Sequence, residues 1–155
     1  MSLTIRYMRR SDVDIVYRIE CEAFHRPWSI DVFRDIGARG GTVLLPGHAR
    51  LVAKVGERGG TVISFIVWEE ALKRRVGRVL NIAVREADRG KGIGRTMLLH
   101  ALDDMRKTMI TRCRLETRRS NLAARRLYRS IGMTEIGTIP RYYEDEDAIQ
   151  YEIIL

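Results

Sequence analysis

Between Val76 and Arg95 the chain changes character twice. It runs from Val-Gly-Arg-Val-Leu-Asn-Ile-Ala-Val, through Arg-Glu-Ala-Asp, into Arg89-Gly90-Lys91-Gly92-Ile93-Gly94-Arg95. The first piece has the length and branched side chains of a strand. Beyond Gly92, the residues Leu98, Ala101, Leu102, Met105 and Met109 recur at helical spacing on one side. A strand that empties through glycines into a helix start leaves several backbone N–H groups unpaired at the positive end of the helix dipole. Glycines let a bulky anion approach those groups, and Arg89, Lys91 and Arg95 add positive charge. Such a turn suits a diphosphate. The plainer alternative is a flexible strand-to-helix connection with a surface charge cluster.

Two better-known phosphate loops do not fit. A P-loop requires Ser or Thr after Gly-Lys, and Lys91 is followed by Gly92. A dinucleotide fingerprint counted from Gly90 would place its third glycine where Arg95 stands.

The remaining chain punctuates into short elements. Ile5–Met8 reads as a first strand, and Ser11 with Asp14 reads as a capping box for a helix carrying Val13, Val16, Tyr17, Ile19, Ala23 and Phe24. Pro27-Trp28-Ser29 ends it, and Ser29 caps a second helix to about Ile36. Gly37–Gly47 is loop-like around the apolar piece Thr42–Leu45. Leu51–Val55 and Thr61–Trp68 form a hairpin across Gly56–Gly60. Strands are expected at Arg112–Glu116, Thr134–Ile139 and Ala148–Leu155, with a helix from Asn121 to Ser130 stopped near Gly132. The order β-α-α-β-β-β-α-β-α-β-β predicts an α/β mixed sheet with helices on both faces. With 155 residues and no internal repeat or linker, one domain over 1–155 is expected.

Arg-x-x-Gly-x-Gly after a strand ending Asn81-Ile82-Ala83-Val84 resembles the acetyl-CoA motif of the GNAT N-acetyltransferases. Leu115-Glu116-Thr117-Arg118 followed by Ser120-Asn121, Ala124, Leu127-Tyr128 and Ile131-Gly132-Met133 looks like the family's next signature. With Phe24…Pro27-Trp28-Ser29 and Tyr142-Tyr143…Asp147-Ala148, the resemblance is closest to the RimI-type protein Nα-acetyltransferases and runs from Ile5 to Leu155.

That resemblance implies a mostly antiparallel sheet whose central parallel strands splay to take the pantetheine arm of acetyl-CoA. The arm would lie along Ile82, Ala83 and Val84, with the Val84 N–H facing the thioester oxygen. The diphosphate would sit on Arg89, Gly90, Lys91, Gly92, Ile93, Gly94 and Arg95, and Asn121 would touch the arm. Glu116 would be the general base, and Tyr128 the acid beside the coenzyme sulfur. Phe24, Pro27, Trp28, Tyr142 and Tyr143 would line the acceptor site. The implied reaction moves acetyl from acetyl-CoA to the N-terminal α-amine of a protein or peptide, with ribosomal proteins as the substrate class. A small amine or a lysine side chain is the alternative acceptor within the same chemistry. Met133 and Thr117 stand where the family usually has Phe and Val, and Ser64 where it usually has glycine.

The formal net charge is +8, and seven arginines lie between Arg112 and Arg129. That surplus favours an anionic partner and keeps a non-catalytic RNA- or ribosome-binding module on the list. Cys21 and Cys113 build neither a disulfide framework nor a zinc spacing and are expected to be reduced and mostly buried. His25, His48 and His100 form no metal spacing, so no metal is expected. No apolar run approaches the roughly 20 residues of a membrane helix, and Met1–Arg6 lacks a signal-peptide core. A cytoplasmic protein binding neither DNA nor membrane is therefore expected.

Overall fold

The computed structural model describes residues 2–155. In chain order the elements are β1 (Thr4–Tyr7), α1 (Val13–Ala23), α2 (Ile30–Ala38), β2 (Thr42–Leu45), β3 (Ala49–Arg58), β4 (Thr61–Ala71), β5 (Val76–Val84), α3 (Ile93–Lys107), β6 (Arg112–Arg118), α4 (Leu122–Ser130), β7 (Thr134–Ile139) and β8 (Ala148–Ile154). One mixed sheet runs β1-β3-β4-β5-β6-β8-β7, and β2 pairs with β3 beyond the reach of β1. Every pairing is antiparallel except β5 with β6.

Each sheet face buries its own core. α1 and α2 bring Val13, Val16, Ile19, Phe33 and Ile36 onto Val55, Phe65 and Val67. On the other face α3 presents Met97, Leu98, Ala101, Leu102 and Met105 to Trp68, Leu115, Ile149 and Tyr151. The spacing of those α3 residues is one helical stripe, so burial of that face selects helix over any other local structure.

The strand and helix order is as expected, with Thr42–Leu45 added as a strand against β3. Three details differ. Ser11 is not the cap of α1: it lies in a 3-10 turn, Arg10–Asp12, and the Asp12 carboxylate accepts the Arg9 N–H at 2.7 Å instead. Arg6 of β1 fixes that carboxylate with an ion pair of 2.8 Å, an anchor a serine hydroxyl cannot offer. Met109 lies past the end of α3 with φ of 69° and is exposed, so it does not share the buried stripe. Cys21 is exposed, and only Cys113 is buried, where burial pushes its thiol up to about 12.

The feature that positions a site is in the middle of the sheet. β5 and β6 pair only through Val76, Gly77 and Arg78 against Arg112, Cys113 and Arg114. Beyond that point β5 stays with β4 as far as Val84, while β6 stays with β8 as far as Arg118. The separation begins beside a bulge, where Val79 and Asn81 pair with adjacent residues of β4 and Leu80 is left over. A bulge bends its strand and increases its twist, which turns β5 away from β6. The sheet therefore opens into a wedge.

Candidate active site

The backbone of β5 lines one side of the wedge. Arg85 N–H donates to the Ile63 carbonyl at 2.7 Å. In an antiparallel ladder, hydrogen-bonded and non-bonded pairs alternate, so Ala83 bonds to its partner Phe65, whereas Ile82 and Val84 face away from β4. Their N–H and C=O groups point into the gap that β6 has left. The Val84 carbonyl already accepts Arg89 Nε there, at 3.0 Å. An extended ligand can hydrogen-bond to these groups as a strand would.

The glycine turn closes the wide end of the wedge. Gly90 and Gly92 hold φ of 76° and 79°, left-handed values that place α3 directly after the turn. The first bond of α3 is Thr96 N–H to the Gly92 carbonyl at 3.1 Å, leaving the amides of Ile93, Gly94 and Arg95 without intrahelical acceptors. A Cβ on Gly90 or Gly92 would meet nothing within 4 Å, so the turn that precedes these amides borders open space. The cations of the turn are lightly held: Lys91 lies 3.7 Å from Asp88, Arg89 4.0 Å from Glu22, and Arg95 donates to Ser130 Oγ at 2.9 Å. Unpaired amides, open space and three neighbouring cations together fit a diphosphate. A Cβ on Gly94 would stand 3.7 Å from Leu127 and 3.8 Å from Val84, so the helix start, the strand end and α4 converge. Asn121 caps α4 by accepting the Ala124 N–H at 3.1 Å.

At the narrow end of the wedge, on the α1–α2 face, lies a cavity of about 290 Å³. β5 supplies its floor with Arg78, Val79, Leu80 and Asn81, and β6 supplies Glu116. Phe24, Arg26 and Trp28 form one wall, with Tyr142 and Tyr143 opposite, and Glu20 of α1 lies behind them. The Glu116 side chain is only 4% exposed. Arg78 pairs with one of its oxygens, and Gln150 Nε2 donates to the other at 3.1 Å. Arg78 also donates to the Tyr142 hydroxyl at 2.8 Å, joining carboxylate, guanidinium and phenol in one chain. The Tyr142 and Tyr143 rings meet edge to face at 4.9 Å, and burial pushes the Tyr143 phenol up to about 12. Arg118 lies over the Tyr143 ring at 4.6 Å. Arg26 and Glu144 bridge the two walls at 2.7 Å, and a second hollow of about 230 Å³ lies on the other side of that bridge.

The Acetyltransferase (GNAT) family profile matches residues 13–133. The chain belongs to this family. The [ribosomal protein bS18]-alanine N-acetyltransferase of Escherichia coli is 31% identical over 98% of this chain and 95% of that protein. The crystal structure of the E. coli ribosomal-protein-S18-alanine N-acetyltransferase superposes with a TM-score of 0.81 at 28% identity, covering 99% of this chain and 94% of that one. Ard1 from Thermoplasma volcanium gives a TM-score of 0.84 at 26% identity over 100% of this chain and 99% of that one. The chain is thus an acetyl-CoA-dependent N-acetyltransferase.

Within this GNAT domain, the residues singled out from sequence fall into separate groups. Ile82, Val84 and the stretch Arg89–Arg95 gather around the wedge, whereas the backbone groups of Ala83 are used by β4. Phe24, Trp28, Tyr142, Tyr143 and Glu116 share the cavity; Pro27 is exposed beside it and is not on its wall. Tyr128 is also off that wall. Its ring packs 5.5 Å from Tyr151 in the core beneath α4, and burial raises the pKa of its phenol. The sequence reading missed Glu20, Arg78, Asn81 and Gln150. One signal was available: Glu20 interrupts the apolar stripe Val13, Val16, Ala23, and a charge on a buried helix face needs a reason. Arg78 and Gln150 gave none, because their pairing with Glu116 depends on sheet register.

Proposed function

We propose that this acetyltransferase modifies the N-terminal α-amine of a protein chain, with a ribosomal protein as the natural acceptor. The observation that carries this reading is the cavity beneath the wedge. A buried carboxylate, Glu116, and a pair of tyrosines line it with Arg78–Asn81 of β5, the stretch that leads directly into Ile82 and Val84. A chain end can enter between Phe24–Trp28 and Tyr142–Tyr143 and bring its nitrogen to the strand that would hold the thioester. The E. coli relative is named for an alanine of ribosomal protein bS18, and the same acceptor class is proposed here.

In this reading the amides of Ile93, Gly94 and Arg95 hold the diphosphate, with Arg89, Gly90, Lys91 and Gly92 shaping the turn around it. The pantetheine arm lies along Ile82, Ala83 and Val84 and beside Asn121. Acetyl-CoA supplies the activated acyl group. The amine nitrogen attacks the carbonyl carbon, the Val84 N–H stabilises the oxyanion, and the carbon–sulfur bond then breaks. Glu116 takes the proton that the attacking nitrogen releases. Arg78 and Gln150 hold the carboxylate in place, and the proton passes to it through a water. Tyr128 gives its proton to the departing thiolate. Burial raises its phenol, which keeps it protonated but makes the transfer uphill.

Incubation with acetyl-CoA and a panel of N-terminal peptides, following CoA release and the mass of the product, tests the reading. Acetylation of peptide α-amines is expected. Turnover on polyamines or on lysine side chains alone would move the acceptor to a different class. Glu116→Gln is expected to lower turnover by roughly 10²–10⁴-fold at neutral pH. The deficit shrinks as pH rises, because hydroxide can then take the proton that the attacking nitrogen releases. A pH-independent loss would make Glu116 structural. Tyr128→Phe is expected to lower kcat while leaving acetyl-CoA affinity unchanged.

A further inference from the structure

One charge on the acceptor cavity is balanced by no cation among the described residues. Glu20 sits one turn before the end of α1, is 1% exposed and lines the cavity. Its Oε2 accepts the Trp28 N–H at 2.8 Å, and its Oε1 accepts Asn81 Nδ2 at 2.7 Å. Both donors are neutral. The other charges on the wall are matched: Arg78 pairs with Glu116, and Arg26 with Glu144. No salt bridge reaches Glu20 among the described residues. A buried carboxylate without a cation is unfavourable, and the protein normally avoids it by pairing or by protonation. The group is fixed as well as isolated, since one donor comes from the α1–α2 turn and the other from β5, next to the bulge at Leu80. A carboxylate has about four acceptor positions, and two neutral donors leave about two for a ligand.

We propose that Glu20 is the docking anion for the acceptor's ammonium group. This deepens, and rests on, the reading that the cavity receives an amine. An amine arrives mostly as R–NH3⁺ at neutral pH and must lose a proton before it can attack. At Glu20 the ammonium N–H bond breaks, the proton passes to a carboxylate oxygen, and the nitrogen keeps the electron pair that it gives to the carbonyl carbon. The proton released after attack is a different one and goes to Glu116. Glu20 returns its proton to solvent when the product leaves. Burial raises the carboxyl above its ordinary range, so it accepts a proton more readily than an exposed glutamate. The two carboxylates therefore divide the work. Glu20 captures and neutralises the cation, while Glu116, held by Arg78, serves the attack itself.

The test compares an alanine-initiated peptide with the same peptide carrying propionyl in place of alanyl, which lacks only the amine. Binding to the CoA-loaded wild type, Glu20→Gln and Glu20→Asp is measured. The wild type is expected to prefer the amine by about tenfold or more in Kd. Glu20→Gln loses that preference while its affinity for the propionyl peptide is unchanged, and Glu20→Asp keeps part of it. In turnover, Glu20→Gln raises KM for the peptide more than it lowers kcat. A preference undiminished in Glu20→Gln overturns the proposal, and so does an equal loss for both peptides, the sign of a purely structural role. Propylammonium chloride titrated against 1-propanol reads the same site when no peptide is a substrate. The NMR signal of the Asn81 side-chain amide shifts with the cation only. Absence of that shift overturns the docking role, whereas failure of every peptide with the shift intact counts against the N-terminal reading alone.

Discussion

Ser64 carries its hydroxyl into a place where nothing receives it. The residue is fully buried in β4 and its Oγ has no hydrogen-bond partner. A Cβ on the facing Gly56 would come within 2.9 Å of Met97 Sδ on α3 and closer still to that Oγ, so the space is already full. Ser64→Ala removes an unsatisfied polar group without changing the shape. It is expected to stabilise the fold by about 1 kcal/mol, which is a rise in Tm of roughly 2–4 °C. A lower Tm in calorimetry would mean that the hydroxyl has a partner in solution. Two carboxylates on or beside α1 make opposite pH predictions. Burial alone would raise Asp12, but the Arg6 guanidinium and the Arg9 N–H overcome it and hold the group below its usual range. Its contribution is present above the unfolded value near 4 and is lost as pH falls. Asp12→Asn should cost about 2 kcal/mol at neutral pH and less in acid. Glu20 is raised by burial. Its favourable contribution is present in acid and is lost as pH rises through its folded value. The stability difference between Glu20→Gln and wild type therefore moves in favour of the variant as pH rises. Urea titrations across pH check both signs, and parallel slopes for the two variants would refute the assignment.

Between elements, the glycine turn carries the most consequence for the smallest side chains. Gly92 is the residue before α3 and holds a left-handed φ of 79° over open space. An alanine there costs about 1 kcal/mol of backbone strain and places a methyl group where the diphosphate is proposed to sit. Gly92→Ala is expected to weaken acetyl-CoA roughly tenfold by calorimetric titration, a change of about 1.4 kcal/mol. Unchanged affinity would move the diphosphate off this helix start. This turn was legible in the sequence because local chemistry alone determines it, as with Ser29, which accepts the Asp31 N–H at the start of α2, and Asn121 at the start of α4. The start of α1 was misread, because Ser11 competes with a carboxylate fixed from another strand by Arg6. The bulge at Leu80, the early parting of β5 from β6 and the clamp of Arg78 and Gln150 on Glu116 leave no local trace. Each follows from which residue lies opposite which, and that is decided by packing of the whole sheet.

Across the whole molecule, six of the seven arginines between Arg112 and Arg129 reach carboxylates, while the net charge stays at +8. Arg112 and Arg114 reach Glu152, Arg118 reaches Asp145 and Glu146, Arg119 reaches Asp147, and Arg125 and Arg129 share Glu135. Such pairs near the surface contribute little individually, about 0–1 kcal/mol, but they engage all of those arginines except Arg126. At a hundredfold excess over its dissociation constant, acetyl-CoA should stabilise the protein by about 2.7 kcal/mol, raising Tm by roughly 5–10 °C. An unmoved Tm at saturation would contradict the proposed coenzyme site. The wedge gives that stabilisation a particular shape. Since β5 and β6 touch over three residue pairs, the apo protein is two half-sheets sharing a short hinge. A ligand lying along Ile82 and Val84 acts as the missing rung between them. With the coenzyme proposed along Ile82 and Val84, the floor that Arg78–Asn81 begin is extended, and an acceptor is expected to bind more tightly once acetyl-CoA is in place.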